Sequence, residues 1–312
     1  MDINAGNIAA LTTRINTSFN KYLKVGPSLY QKFSMVMPSS AGENFYPRIA
    51  EIGGLREWVG QREIERLKVD GFRIANRTFE QTIGARREDL EDDQFGVLLP
   101  AVEQLGYNAS VLPDELVFDM LMKGASTKCM DGQNFFDTDH QTYNESGTAV
   151  SWSNIGTPQG TEAAVAPWYL FDTTRPLKPM IFQTRRPFNI TPKTQLTSDN
   201  VFHDNEFLWG VDGRCAAGVG MYQLAYRSTR PLNGTSFQAA LTAFAAQRRK
   251  DGAPYGIRPN LLVVPTNLES AGRLLVNAEF VPSDAGTATI SNPWKGAVDL
   301  MVAPRLSLTA GG

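Results

Sequence analysis

Between Cys129 and His140 the chain reads CMDGQNFFDTDH, and nowhere else do its residue types come so near to chemistry. Cys129, Asp131, Asp137, Asp139 and His140 bring a thiol, three carboxylates and an imidazole into one short stretch. Such a set can hold a divalent metal or position a general base. The competing reading is a turn. Asp and Asn beside Gly132 are what a turn requires, and Phe135 with Phe136 reads as an apolar plug that anchors it. With 2 Cys and 2 His in the whole chain, only His203 and Cys215 remain as further imidazole and thiol. That inventory is thin for a zinc site, a disulfide framework or thiol catalysis. The turn reading is preferred, with a metal-dependent enzyme using Asp137, Asp139 and His140 kept as the alternative.

The chain contains no GxxxxGK[ST], no GxGxxG after a strand, no GxSxG, HExxH or paired CxxC. No cofactor and no metal are expected. The chain has 312 residues, 42% of them hydrophobic and 20% charged, which is ordinary globular composition and enough for roughly two compact units. Lys+Arg 30 against Asp+Glu 32 leaves a formal charge of -2, so no excess of cations drives binding to a polyanion. A DNA-binding protein is therefore disfavoured. The opening MDINAGNIAALTTRINTSF lacks the cationic and apolar regions of a secretory signal, no lost pro-segment is expected, and no run of 18 apolar residues suggests a membrane span. Cys129 and Cys215 are expected as small buried thiols without a disulfide.

The elements that must position these residues follow from periodicity. Ile8, Leu11, Ile15, Phe19 and Leu23 recur every three or four positions, one apolar stripe of a helix that Val25-Gly26-Pro27 stops. Such a helix can dock on its own core or act as an arm on a neighbouring subunit. Between Gly54 and Gly84 the pattern becomes strand-like, with Asp70-Gly71 between REIERLKV and FRIANRTF as the two-residue signature of a tight hairpin turn. Arg62, Glu63, Glu65, Arg66, Lys68, Arg73 and Arg77 charge this ribbon, and few apolar residues back it. A two-stranded ribbon with so little to bury must lean on its own body or on another chain. Its mixed charges suit a contact that sets register and partner.

From Arg86 to Gly124 the character is helical, opening on the acidic run Glu88, Asp89, Glu91, Asp92 and Asp93 that suits a helix N-terminus. Pro100 and Pro113 predict one kinked helix or several pieces, with Asp114 and Glu115 restarting it. Residues 125 to 165 read as loops; WYLFD (168 to 172), PMIFQT (179 to 184) and much of Glu206 to Tyr226 read as strands. Further on, Ser236 is expected to cap a helix carrying Phe237, Ala240, Leu241 and Phe244. Arg248, Arg249 and Lys250 would complement its C-terminus, a triplet that could alternatively grip phosphate. LLVV (261 to 264) predicts a buried strand, Thr266 with Glu269 a capping box for the next helix, and Ala297 to Ala303 a last strand. Helix, strand, helix, strand makes this end an α/β unit.

Several strings together resemble the major head subunits of Mu-like tailed bacteriophages: LREWVGQREIERLKVDGFRIANRTFE (55 to 80), REDLEDDQFG (87 to 96), PDELVFDML (113 to 121), DGQNFFDTDH (131 to 140), WYLFDTTRPLKPMIFQTRR (168 to 186), VFHDNEFLWG (201 to 210), RPNLLVVPTNLESAGRLL (258 to 275) and NPWKGAVDLMVAPRL (292 to 306). The resemblance spans nearly the whole chain and implies an α+β, HK97-like capsid fold in a structural protein. It implies an N-terminal arm (1 to 30), an extended hairpin loop (54 to 84), a peripheral domain with a long spine helix (31 to 53, 85 to 125 and about 166 to 232), and an axial domain (about 126 to 165 and 233 to 312). It also implies self-assembly into pentamers and hexamers of an icosahedral head around double-stranded DNA, in the virion and first in the bacterial cytoplasm. No long N-terminal scaffolding segment is expected, so the resemblance implies a separate scaffold or protease protein, with a portal and decoration or minor capsid proteins as further partners. The expected inter-subunit contacts are Arg62, Glu63, Glu65, Arg66, Lys68, Asp70, Gly71, Arg73 and Arg77 on the hairpin and Ile8, Leu11, Ile15 and Phe19 on the arm. A Lys of the loop cross-links covalently in the founding member of the fold; Lys68 lies in the loop, but no matching motif carries that chemistry over.

Overall fold

The computed structural model describes residues 3–26, 28–48, 68–92, 95–282 and 289–307. Helix α1 (Ala5–Tyr22) starts at Asn4, whose side chain accepts a hydrogen bond from the Asn7 backbone at 2.9 Å. Its stripe of Ile8, Leu11, Ile15 and Phe19 is buried. Strands β1 (Ser34–Pro38), β2 (Glu43–Arg48), β3 (Lys68–Ala75) and β4 (Arg77–Arg86) follow, then the short helix α2 (Arg87–Glu91) and the long helix α3 (Phe95–Met122). The acidic run opens a helix as expected, and the helical segment comes in pieces. Glu88 and Asp89 lie in the first turn of a separate short one, where Arg87 pairs with Glu91. α3 runs unbroken through Pro100 and Pro113 for 28 residues. Asp114 therefore restarts no helix and has another role. The buried carboxylate accepts from the backbone of Leu29 and Tyr30 at 3.3 and 2.7 Å, tying the chain after α1 to the middle of α3.

Beyond α3, β5 (His140–Tyr143) pairs with β6 (Ala149–Trp152), and β7 (Ile155–Gly156), β8 (Trp168–Phe171), β9 (Met180–Lys193), α4 (Asp199–Asp204), β10 (Glu206–Val219) and β11 (Ala225–Ser228) succeed it. Helix α5 (Gly234–Ala245), β12 (Leu261–Val264), α6 (Glu269–Val276), the paired β13 (Phe280–Pro282) and β14 (Thr289–Ser291), and β15 (Asp299–Val302) complete the chain. The cap of α5 lies three residues before the expected one. Asn233 is the N-cap, and Ser236 is its reciprocal partner in the capping box. Arg248 lies past the helix end, where its backbone N–H donates to Thr142 Oγ1 at 3.0 Å and its guanidinium to Gly252 O at 2.9 Å. The expected box at Thr266 does not form either: α6 has no side-chain cap, and the Thr266 N–H is taken by Ser307 Oγ at 2.9 Å.

Two sheets organise the molecule. The four-stranded sheet has the order β1-β9-β10-β4, with β1 parallel to β9 and the rest antiparallel. Phe207, Trp209 and Val211 alternate along β10 onto one core with the α1 stripe and with Leu98, Val102 and Leu105 of α3. At about 1.5–3 kcal/mol per buried large side chain, this layer holds α1 firmly to the body. The five-stranded sheet has the order β15-β12-β8-β11-β7, and both WYLF and LLVV are buried at every position. Trp152 Nε1 donates to Ala243 O at 2.7 Å, joining the β5–β6 pair to α5. The segment 166–232 contributes to both sheets: β9 and β10 run in the first, β8 and β11 in the second. Short apolar strands look alike in sequence, and the partner across the ladder decides which sheet they join.

Candidate assembly surface

The Cys129 to His140 segment is a turn, stitched by its own polar groups. His140 is fully buried at the start of β5. Its Nδ1 meets Asp131 Oδ2 at 2.7 Å, and its ring stacks on Tyr222 at 4.0 Å and 7°. Asp131 Oδ1 accepts from Cys129 Sγ and from the Gln133 backbone, each at 3.0 Å. Burial pushes the Asp131 carboxyl up, but hydrogen bonds from His140 and Cys129 outweigh it and hold the group below the ordinary carboxylate range. Burial pushes the Cys129 thiol up, and Asp131 beside it adds to the effect.

Ligand-capable atoms of Cys129, Asp131 and His140 lie within 4.8 Å of one another. Yet both Asp131 oxygens are occupied, and a thiol ligand must be a thiolate, which this environment opposes. Asp137 and Asp139 do not join the cluster. Asp137 accepts from the backbone of Thr138 and Asn134 at 2.8 and 3.2 Å, and Asp139 from Gln133 Nε2 at 3.0 Å. Phe135 and Phe136 are the buried plug that the sequence suggested, and Cys129 and Cys215 are free and buried.

Among the described residues, a ribbon leaves part of its apolar and charged surface uncovered by the chain's own core. β2 pairs antiparallel with β3, with Phe45 opposite Arg73 and Pro47 opposite Gly71. The expected turn at Asp70-Gly71 is corrected. Both residues lie within β3, at a register shift beside Pro47, and residues 49–67 that join the strands lie outside the described residues. Glycine is required at 71 for another reason: a Cβ there would stand 2.2 Å from the Tyr46 carbonyl oxygen and 2.7 Å from the Phe45 ring. A glycine that allows close backbone approach at a bulge is indistinguishable in sequence from a turn glycine.

Arg62, Glu63, Glu65 and Arg66 lie outside the described residues, and Lys68 and Asp70 take backbone positions in β3. Arg73 is exposed, pairs with Glu43 and lies over the Phe45 ring at 6.0 Å. Arg77 belongs to β4, opposite Cys215 in the four-stranded sheet, and covers Phe79 at 5.5 Å. Ile8, Leu11, Ile15 and Phe19 are buried against α3 and β10 of their own chain, so of the two readings of that helix the structure shows the first. Sequence reasoning missed β2 altogether. Pro47 masked the ENFYPR alternation, although proline is admissible on a two-stranded edge. Phe45 is 46% exposed, and Val36 and Met37 of the neighbouring β1 are exposed as well.

A long helix under a four-stranded sheet, a second sheet, and a ribbon leaving the body are the parts of an HK97-like capsid fold. Residues 8–306 match the family described as the Mu-like prophage major head subunit gpT, and the chain belongs to that family. It is 38% identical over 309 residues to the major capsid protein of Escherichia phage Mu, covering 98% of this chain and 100% of that one. A subunit of the procapsid of bacteriophage JBD30 is similar with a TM-score of 0.83 and 39% identity, covering 97% of this chain and 100% of its own. A subunit of the JBD30 capsid decorated with minor capsid protein trimers gives a TM-score of 0.73 at 28% identity, over 90% and 91% of the two chains. Members of the family are structural head subunits. The alternative of an enzyme built on Asp137, Asp139 and His140 is overturned, and the chain is not an enzyme. Among the described residues no helix is long and apolar enough to cross a membrane.

Proposed function

We propose that copies of this chain assemble through the β2–β3 ribbon into the icosahedral shell of a phage head that encloses double-stranded DNA. The observation that carries this reading is the ribbon itself, on a chain that superposes along nearly its whole length on a procapsid subunit. A two-stranded ribbon is at best marginal in water, and this one keeps Phe45 and Arg73 exposed. Laid on an adjacent subunit, the same apolar and charged surface gains a partner. Repeated by symmetry in pentamers and hexamers, many modest contacts hold together what one could not.

In this reading the four-stranded sheet with α1 and α3 is the peripheral unit, and the five-stranded sheet with α5 and α6 the axial one. A net charge of -2 suits a container that surrounds DNA without gripping it. A scaffold or protease protein, a portal and minor or decoration proteins complete the head. Sedimentation and electron microscopy of the purified protein test the proposal. Shells, tubes or capsomers are expected; a discrete small particle at every concentration would contradict it.

A further inference from the structure

Gln183 lies in the interior of the four-stranded sheet and is fully buried, its backbone paired with Met37 of β1 on one side and Ala216 of β10 on the other. A glutamine there is costly unless every polar group is matched. Here the matches come from the ribbon. Gln183 Nε2 donates to the Ile74 carbonyl at 2.9 Å and to Asn76 Oδ1 at 2.8 Å, and Gln183 Oε1 accepts from the Tyr46 hydroxyl at 3.0 Å. One side chain of the body therefore holds β2 through Tyr46 and β3 through Ile74.

The network continues across the ribbon's root. Asn76 Nδ2 donates to Ser39 Oγ at 2.7 Å and to Ala41 O at 3.0 Å, and the Asn76 backbone N–H donates to Gly42 O at 2.9 Å. Ser39 Oγ donates to Asn44 Oδ1 at 2.8 Å. Beside the network sits one apolar plug. Ile74 packs with Ile181 and Ala216, so close over β10 that a Cβ on Gly218 would stand 2.2 Å from Ile74 Cδ1. Tyr46 stacks on Phe72 at 5.4 Å, joining the two strands above it. The interlocking donors and acceptors favour one angle of the ribbon to the sheet, because any swing breaks several bonds at once.

We infer that Gln183, with Tyr46, Asn76, Ser39 and Asn44, is a positioning latch that sets the angle at which the ribbon leaves the subunit, and hence the curvature at which neighbours meet. The inference rests on the proposed lattice role of the ribbon, but the latch can be measured without it. Gln183→Met keeps the size of the side chain and removes every hydrogen bond it makes. Amide exchange followed by mass spectrometry on the unassembled full chain is expected to quicken about tenfold or more in Glu43–Arg48 and Lys68–Ala75, with α3 unchanged. Tyr46→Phe, which deletes the hydroxyl's bonds to Gln183 and Asn44 and keeps the ring, should give a smaller change in the same peptides. Exchange that stays at the wild-type rate in the ribbon, or rises uniformly over the chain, overturns the latch.

Should Gln183→Met fail to fold, Ser39→Ala and Asn44→Ala carry the same readout from the outer side of the network. Electron microscopy of the assembled variant separates the two claims. A loosened ribbon with irregular or wrongly sized shells supports both. A loosened ribbon with uniform shells leaves the anchoring intact but overturns the claim on curvature and with it the ribbon's lattice role. An unchanged ribbon with normal shells removes the latch and leaves the lattice role standing.

Discussion

Asp131 divides its two oxygens between Cys129 and His140, and this small exchange turns the most reactive-looking residues of the sequence into a brace. The imidazole is held between that carboxylate and the face of Tyr222. His140→Phe keeps the stacking and deletes the bond to Asp131, leaving a buried carboxylate short of a donor. A loss of about 1.5–3 kcal/mol in denaturant unfolding is expected, with assembly intact. The pH dependence follows from the sign of the shift. The folded-state value of Asp131 is below its ordinary 3.8, so its contribution is present above that pH and is lost as pH falls through the lower folded value. Removing His140 raises the folded value, and acid unfolding of the variant should therefore begin at higher pH than in the wild type. A variant of wild-type stability that no longer assembles would show that the cluster serves the lattice instead. At this scale the sequence was legible in kind: Gly132 and the adjacent Asp and Asn residues announced a turn. It did not tell which carboxylate the histidine would meet, because Asp131, Asp137 and Asp139 are equivalent as letters and differ only in what the fold puts beside them.

Among the elements, α1 shows what a periodic pattern can and cannot decide. The stripe of Ile8, Leu11, Ile15 and Phe19 specified the helix and its buried face, but a stripe does not name the surface that buries it. In the folded chain that surface is α3 and β10. Phe19→Ala is therefore expected to cost the isolated subunit about 3–5 kcal/mol, seen as a lowered midpoint in chemical denaturation. An arm docked only on a neighbour would instead leave the isolated subunit unchanged and weaken assembly. The ribbon was legible as a charged two-stranded element and misplaced in detail. Its first strand is Glu43–Arg48, hidden by Pro47, and Asp70-Gly71 is a bulge against that strand. Helix caps failed in the same way, since Asn233 and Ser236 are both competent caps and only the observed hydrogen bonds show which is the N-cap and which its partner. The buried runs WYLF and LLVV were recognisable as strands; their meeting as neighbours in one sheet depends on long-range pairing that no local pattern records.

For the whole molecule, two sheets share one chain that crosses between them repeatedly, and among the described residues the β2–β3 ribbon, like the β13–β14 pair, leaves large apolar side chains exposed. The body is well provided with apolar burial, including fully buried Trp168, Trp209 and a dense set of phenylalanines. The ribbon is joined to it through the Gln183 amide, the small polar network at its root, and Ile74, Phe72 and Tyr46 packed on the body's cores. A subunit with a partly exposed ribbon is suited to covering it with its neighbours, and membership of the head-subunit family agrees with this division of labour. The most direct measurement is a cryo-electron microscopy reconstruction of shells assembled from the purified chain, detailed enough to trace β2 and β3. The ribbon of each subunit should lie against the body of an adjacent one, with Phe45 and Arg73 covered there. A ribbon folded back onto its own subunit, or standing free in solvent in the closed shell, would contradict it.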